Sequence, residues 1–282
     1  MRQHQLHLAG LAALAVLLGS ACPPPVEPAP KDLDGVAHWL WNNYLLADDA
    51  SVGDAINKLH KAVDGDSLDE SLSGGLTRLE KDELAWVGLD GKDPDGAVGL
   101  YVVNHTECDL ETLEEMVYEL DQQQFFPEAY QSYDRRYTSD FDAYRSREEP
   151  FLTWHVNIDA TISGGVINIP YSESIDGGIR YVPEIDEETT PFGPMLLTHT
   201  FMPEPATFEE DVNEWPLDFQ IAAYYERAPG EVVHFYGVWR EMIFGGVGLS
   251  TEDAWVQNIQ FDNMIAWHER TEEICVTWPE VP

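Results

Sequence analysis

Basic residues are scarce in this sequence. Its 282 residues include 15 Lys and Arg against 52 Asp and Glu, which gives a formal net charge of −37 at pH 7. A surface this acidic repels the phosphates of nucleic acids, so the sequence predicts no nucleic-acid partner. Apolar residues nevertheless make up 44% of the chain and include 9 Trp, which predicts a folded protein and not an acidic disordered one.

Catalytic and cofactor motifs are lacking as well. The sequence has no G-x-S-x-G elbow, no H-E-x-x-H zinc motif, no C-x-x-C pair, no P-loop and no G-x-G-x-x-G fingerprint. Its histidines show no metal-like spacing, and the acidic pairs near residues 64–66 and 93–95 do not complete a calcium loop. We therefore predict no catalytic residues, no metal site and no cofactor. Whether the protein is an enzyme stays open, with a non-catalytic role favoured.

Long hydrophobic runs are missing too, and the one apolar run at the start of the chain is short. Residues 8–18 would span about 16 Å as a helix, against about 30 Å of hydrocarbon in a bilayer. Arg2 precedes this run, and the small residues Gly19 and Ala21 follow it. A positive start, a short apolar core and small residues before a cleavage site are typical of an export signal. We predict that residues 1–21 are a signal peptide.

Cysteine occurs only three times, and Cys22 directly follows the predicted cleavage site. The start of the chain thereby resembles bacterial lipoprotein precursors, in which a cysteine at this position is acylated. The resemblance implies an exported protein of the bacterial cell envelope, periplasmic or on the surface, whose membrane partner is reached through Cys22. The alternative is a secreted protein with a free N-terminal thiol. Residues 22–31 are rich in proline, which predicts a stiff, extended tether.

The two remaining cysteines, Cys108 and Cys275, form a natural pair once Cys22 is acylated. In an oxidising compartment such a pair predicts a disulfide. The alternative is two buried thiols.

Helical spacing comes first along the chain. An apolar stripe at helical spacing and a capping-box-like pattern that begins at Ser51 predict a helical hairpin over 32–65. The polar stretch 64–75 is interpreted as a linker and a domain boundary. Alternating residues around a turn-rich segment predict a β-hairpin over 84–106, and helical spacing returns over 109–124.

Strands dominate the second half. Apolar and polar residues alternate strictly over 154–162, as in a strand with one buried face. Further predicted strands cover 166–171, 195–202, 219–227 and 232–244. Residues 250–275 contain no Gly or Pro and begin with a capping pattern, which predicts one long C-terminal helix.

This order of elements resembles the START-like superfamily over residues 76–278. The resemblance implies an α+β helix-grip fold, in which a curved antiparallel sheet wraps around the long C-terminal helix, here preceded by the small helical hairpin. It also implies a cavity between sheet and helix, which this superfamily uses for lipids, sterols and other apolar ligands. In this fold Cys108 would start the first helix of the domain and Cys275 would end the last, so the two would lie close together.

Aromatic strand residues are the candidate ligand-binding residues. Strand phase predicts that Trp154, Tyr225 and Trp239 share one sheet face, together with Phe219 and Phe235. His199 alternates in phase with buried positions and joins the candidates, whereas His234 is out of phase and is expected to face water. Packing in the core is the alternative for each of them.

We therefore expect an extracytoplasmic lipoprotein that binds a small apolar or lipid-like ligand without catalysis. The alternative is an interaction or structural module of the envelope with a solid core and no ligand. A cavity between sheet and terminal helix distinguishes the two.

Overall fold

The structure, a computed structural model, describes residues 26–278 apart from 165–166, 187, 189–191 and 210–211. The predicted signal peptide and Cys22 lie outside the described residues, as does the first part of the predicted tether. The helices are α1 Leu33–Asn43, α2 Asp49–Ala62, α3 Leu110–Tyr118, α4 Phe141–Arg145 and α5 Ala254–Thr277.

One ten-stranded sheet holds the described residues together. Its strands are β1 Leu72–Leu76, β2 Val98–Thr106, β3 Tyr130–Tyr137, β4 Phe151–Gly164, β5 Ile167–Val182, β6 Met195–Phe201, β7 Thr207–Phe208, β8 Asn213–Ala228, β9 Glu231–Phe244 and β10 Leu249–Ser250. The order across the sheet is β1-β2-β9-β8-β6-β5-β4-β3, with β10 beside β9 and β7 beside β5, and every pair is antiparallel. The sheet curves around α5, so the predicted helix-grip architecture is confirmed.

Strands β8 and β9, of 16 and 14 residues, form a hairpin across a tight turn. Pro229 and Gly230 occupy the turn, and Gly230 has φ 77°, the left-handed conformation that a type II turn requires at its third position. Both strands carry apolar side chains in both phases, so both faces of the sheet are covered. We call the face that packs against α1 and α2 the hairpin face, and the face beneath α3 and α5 the cavity face.

The N-terminal helical hairpin packs on the hairpin face. Asp32 and Asp48 cap its two helices, accepting hydrogen bonds from the amides of Gly35 at 2.9 Å and Ser51 at 2.7 Å. Their buried stripe joins one hydrophobic core with the odd-numbered residues of β8 and β9. The last residues of the predicted tether pack here as well, since Trp39 Nε1 donates to the Glu27 carbonyl at 2.6 Å.

Arg180 of β5 fixes this hairpin to the sheet. Its guanidinium donates to the carbonyl oxygens of Tyr44 and Ala47 at 2.9 and 2.8 Å and to the Asp49 carboxylate at 2.7 Å. The side chain is only 4% exposed. The charge therefore satisfies three acceptors at the bend between α1 and α2.

Two predicted segments differ from the structure. Residues 81–87 form a 3-10 helix and not a strand, because the Glu83 carboxylate accepts from Asn42 and from the Glu80 amide, and Trp41 Nε1 donates to the Glu83 carbonyl. Within the predicted linker, residues 72–76 form the edge strand β1, which pairs with β2. Both differences come from contacts with segments distant in the chain.

Helix α5 lies on the cavity face, where Met264 packs against Leu100, Val102 and Val238. Its C-terminal end is joined to the start of α3 by the disulfide Cys108–Cys275, whose Cα atoms are 6.0 Å apart. The predicted disulfide is therefore present. In the part of the chain that the structure describes, no helix combines the length and the apolar character needed to cross a bilayer.

Candidate ligand-binding cavity

A large cavity lies between the cavity face of the sheet and the helices α3 and α5. Its volume is about 990 Å³, at the upper end of the size range of small-molecule pockets. Most of its wall is apolar. Contributors from three elements are Leu113 and Met116 of α3, Val156 and Ile158 of β4, and Val256 and Met264 of α5.

One end of the cavity carries a buried ion pair between Asp218 of β8 and Arg240 of β9. The two residues are direct partners across the strands, and Asp218 is 2% exposed. Gln220 donates to Asp218 Oδ1 at 2.7 Å and accepts from the Tyr236 hydroxyl at 2.7 Å. The Arg240 guanidinium also lies 4.8 Å above the Trp215 ring. Because each charge has its partner, this network is an ordered and electrically neutral polar wall.

Glu173 of β5 lies beside this network. Burial, together with the charge of Asp218, raises the pKa of its carboxyl to about 8, although Arg240 opposes the shift. Glu173 Oε2 finds no hydrogen-bond partner among the described residues. At neutral pH the carboxyl is mostly protonated, so it adds no charge to this end of the cavity.

A second polar group lies further along β9. Asn104 and His234 are direct partners on β2 and β9, and both line the cavity. The His234 ring stacks on Tyr224 with centroids 4.3 Å apart. Burial, with a smaller contribution from His268, lowers the pKa of His234 to about 3, so the imidazole is uncharged at neutral pH.

A third polar contact joins the outer wall of the cavity to α3. Arg135 Nη1 donates to the carbonyl oxygens of Val117 at 2.6 Å and Glu119 at 3.1 Å. Its guanidinium lies 4.7 Å above the ring of Trp154, which faces the cavity. The contact covers the end of α3 and holds that helix against β3 and β4.

The structure separates the four predicted ligand-binding residues. Trp154 lines the cavity, whereas His199, Tyr225 and Trp239 lie on the hairpin face. Strand phase predicts a common face for Tyr225 and Trp239 correctly, but the common face with Trp154 is wrong. Placing the three in a cavity under the C-terminal helix is also wrong, since α1 and α2 cover them.

On the hairpin face these three residues make core contacts. Trp239 Nε1 donates to the Thr77 carbonyl at 2.7 Å, and the Tyr225 ring lies 4.9 Å from Phe192. The His199 ring lies 4.2 Å from that of Tyr44, and burial lowers the pKa of His199 to about 3. Their surroundings are therefore those of packed core residues.

The polar residues of the cavity were missed by the sequence reasoning. They are Asn104, Glu173, Gln220, His234 and Arg240, with Asp218 behind them as the partner of Arg240 and Gln220. The expectation that His234 faces water is wrong, because α5 covers its face of the sheet. The signal that could have found them is the pair of polar residues Asp218 and Gln220 in the second phase of an otherwise apolar strand, with His234 and Arg240 in the matching phase of the next.

The arrangement favours a mostly apolar guest. Gln260 of α5 also lines the cavity, is 6% exposed, and has both amide atoms without a hydrogen-bond partner in the described ranges. Both atoms are closed off from the cavity volume, so a ligand could bond them only after the Gln260 side chain turns. Within the described residues, no group of three or more His, Cys, Asp and Glu side chains comes together to hold a metal ion.

No protein-family model and no curated protein sequence matches this chain. Among solved structures, it is similar to a START superfamily protein from Mycobacterium smegmatis, with 9% identity, a TM-score of 0.39 and coverage of 64% of this chain and 99% of the other. Human STARD10 has 8% identity, a TM-score of 0.40 and coverage of 73% and 83%. The lipid transfer and protein localization domain of human StarD13 has 12% identity, a TM-score of 0.33 and coverage of 66% and 80%. With TM-scores below 0.5, the fold assignment rests on the strand order and helix placement of this chain itself.

Proposed function

We propose that this protein binds a small apolar or lipid-like molecule in the cavity between the sheet and α5, and that it does so without catalysis. The observation that carries the proposal is the cavity of about 990 Å³ with a mostly apolar wall. A space of this size costs stability unless something occupies it, because its wall loses the packing contacts of a filled core. A ligand with apolar surface restores those contacts.

The polar groups of the cavity support binding of a ligand that is not purely hydrocarbon. Asp218 fixes Arg240 and Gln220, which line the cavity, so a ligand hydroxyl or carbonyl can join these two side chains without rearrangement. Glu173 adds a protonated carboxyl. A few fixed polar groups in an apolar pocket are the usual means of orienting a ligand.

We propose further that the protein acts outside the cytoplasm, held to a membrane of the cell envelope through an acylated Cys22. The export pattern of residues 1–21 supports this location. The disulfide Cys108–Cys275 is consistent with an oxidising compartment. Labelling of the protein by a radioactive fatty acid in cells, lost in Cys22→Ala, tests the anchor; equal labelling of both proteins would refute it.

Native mass spectrometry tests the ligand. The Cys22→Ser chain, exported behind a cleavable signal and purified without detergent, is expected to carry extra mass that leaves on denaturation. A lipid that binds should also raise the Tm in proportion to the logarithm of its concentration above Kd. If the protein shows only the mass of the chain itself, and no lipid of the panel shifts its Tm, ligand binding is refuted and an interaction module is favoured.

A cavity-filling variant provides the matched control. Ala222 is 3% exposed and lines the cavity, so Ala222→Phe is expected to abolish ligand retention while the far-UV circular dichroism stays native. Ala50 is an exposed residue of α2, and Ala50→Phe should leave retention unchanged. Retention by the Ala222 variant would show that the extra mass lies elsewhere.

A further inference from the structure

Arg135 carries a positive charge that no carboxylate balances within the described residues. Seven of the nine described arginines have a guanidinium nitrogen within 3.6 Å of an Asp or Glu oxygen. The other two are Arg135 and its neighbour Arg136, which is exposed to solvent. In a chain with 52 acidic and 15 basic residues, a partly buried arginine without a carboxylate requires an explanation.

Arg135 lies on the wall of the cavity. It leaves the same face of β3 as Tyr133, and its direct partner on β4 is Val156, which also lines the cavity. Its guanidinium is held between two rings, 4.7 Å from the centre of Trp154 and 5.3 Å from that of Tyr133. The aromatic faces attract the cation and fix its position, but they do not neutralise its charge.

Two hydrogen-bond donors remain free at this point of the wall. Arg135 Nη1 donates to the carbonyl oxygens of Val117 and Glu119, and Nε is enclosed by the protein. Nη2 makes no hydrogen bond with the described residues and is not enclosed, and the same holds for the Tyr133 hydroxyl. Burial raises the pKa of Tyr133, so this hydroxyl keeps its proton. One charged and one neutral donor side by side favour an anionic acceptor.

The carboxyls of the surroundings do not supply this anion. The Glu119 carboxylate accepts from the backbone amides of the two residues that follow it, at 2.9 and 3.2 Å. Glu173 also lines the cavity, but its raised pKa of about 8 keeps it mostly protonated at neutral pH. Glu128 is exposed, where water and salt screen its charge. The wall at Arg135 is therefore positive in a protein whose net charge is −37.

An apolar row leads away from Arg135 along β4. Val156, Ile158, Ala160 and Ile162 leave the cavity face of this strand in turn, and all four line the cavity. Six residues of strand span about 20 Å, which matches the length of a long acyl chain. A chain whose polar end lies at Arg135 can therefore follow apolar surface over its whole length.

We propose that the ligand is a lipid with one negatively charged head, such as the carboxylate of a fatty acid, and that Arg135 binds this head while the acyl chain lies along β4. This inference rests on the proposed function and narrows its ligand class from lipid-like molecules to anionic amphiphiles.

Two probes with the same acyl chain, palmitate and its uncharged methyl ester, test the charge of the head. The exported Cys22→Ser protein, freed of co-purified lipid on an apolar resin, is expected to bind palmitate about tenfold more tightly than the ester, because a hydrogen bond to a charged group is among the strong ones. Equal affinity, or binding of neither probe while an uncharged lipid of the panel binds, would overturn the anionic head and leave the proposed function standing. Failure of both probes together with a silent lipid panel would instead remove the proposed function.

Variants at Arg135 separate binding of the head from support of α3. Arg135→Gln removes the charge, so it should lower the affinity for palmitate about tenfold and leave that for the ester unchanged. Arg135→Lys keeps the charge but loses the forked contact with the two carbonyl oxygens, so it should keep the preference for palmitate. Arg136→Gln, on the opposite face of the same strand, is the matched control and should change neither affinity.

Two results in Arg135→Gln would contradict the inference. A preference for palmitate that survives in this variant would mean that another group binds the head. An equal loss of affinity for both probes would mean that Arg135 only holds α3 in place.

Discussion

Glu173 shows how one carboxyl can report on the cavity. Its folded-state pKa of about 8 lies above the usual value of 4.5, because burial and the neighbouring Asp218 disfavour its charge. Between these values the folded protein holds a proton that the unfolded chain has released. The contribution of Glu173 to the free energy of unfolding is therefore present at low pH, falls as pH rises through this window, and levels off above it.

Replacing Glu173 by glutamine should remove this pH dependence. The free energy of unfolding of Glu173→Gln, minus that of the unaltered protein, is expected to be near zero at pH 5 and to rise to roughly 3 kcal/mol by pH 8. Urea denaturation at several pH values measures the difference. A difference that does not change with pH would mean that the carboxyl is not held protonated by its surroundings.

Arg180 is the second residue whose role can be isolated. Its fork-shaped guanidinium reaches three acceptors at the bend between α1 and α2, a geometry that a lysine ammonium cannot reproduce. Arg180→Lys is expected to lower the free energy of unfolding by about 2 kcal/mol. It should also speed amide exchange in residues 44–52 more than elsewhere. Arg136, which is exposed on β3, provides the matched control Arg136→Lys; equal losses in the two variants would contradict the anchoring role.

At the scale of elements, α5 covers the cavity from one side and has two differently held ends. The C-terminal end is tied to α3 by the disulfide and by Ile274, which packs with Met116 and Phe125. The N-terminal end follows the turn after β9 and is held through Val256 against Phe244 and Trp215. Loss of the covalent link should therefore affect one end of α5 selectively.

Removing the disulfide tests this asymmetry. The Cys108→Ala/Cys275→Ala variant is expected to lose about 2–5 kcal/mol of stability, because the bond closes a long loop in the unfolded chain. Hydrogen exchange should increase in residues 266–277 of α5 and stay unchanged in residues 254–264. Uniform acceleration along the helix would show that the packing, and not the disulfide, holds the C-terminal end.

Elements with one covered face could be predicted from the sequence, and those that depend on distant contacts could not. The strict alternation around Trp154 predicted the strand phase of β4, and helical spacing predicted α1, α2 and α5. The predicted starts were wrong, since α2 begins at Asp49 and not at Ser51, and α5 begins at Ala254 and not at Ser250.

The phases of β8 and β9 placed Tyr225 and Trp239 on one face but did not show which layer covers that face, because Phe219 and Ala222 are both buried, on opposite faces. Whether α1 and α2 cover Trp239 depends on which helices pack on each face of the sheet, and strand phase does not show this.

The cavity itself was predicted through the order of elements, whereas its polar residues were not. Glu173 lies in the part of β5 beyond the predicted strand end at Tyr171, so no phase could be assigned to it. The pairing of Asp218 with Arg240 depends on the register of β8 against β9. The turn at Gly230 sets this register, but the pattern of the sequence does not show which residues then lie opposite each other. Sequence patterns describe one strand at a time, but the site is built across several.

At the scale of the whole molecule, excess negative charge is the dominant feature. A net charge of −37 on 282 residues opposes the compact state through self-repulsion. The ion pairs on the surface involve few of the acidic residues, since only 15 Lys and Arg are present. Salt should therefore stabilise this protein by screening.

Raising NaCl from about 10 mM to about 0.5 M is expected to raise the Tm by several degrees, because the Debye length falls from about 30 Å to a few ångströms. Differential scanning fluorimetry measures the change. Choline chloride at equal ionic strength is the control, and it should give the same shift. A flat or falling Tm in both salts would show that the charges are spaced too widely to repel one another.

Strands β8 and β9 serve two layers at once, and this limits how the protein can change over generations. Odd-numbered residues such as Leu217, Phe219 and Trp239 build the hairpin core, and even-numbered ones such as Gln220, Ala222 and Arg240 build the cavity wall. Deleting one residue would exchange these two sets, so inheritable variation there is confined to substitutions. Mutations that alter what the cavity accepts should therefore arise at every second position, while the positions between them preserve the fold.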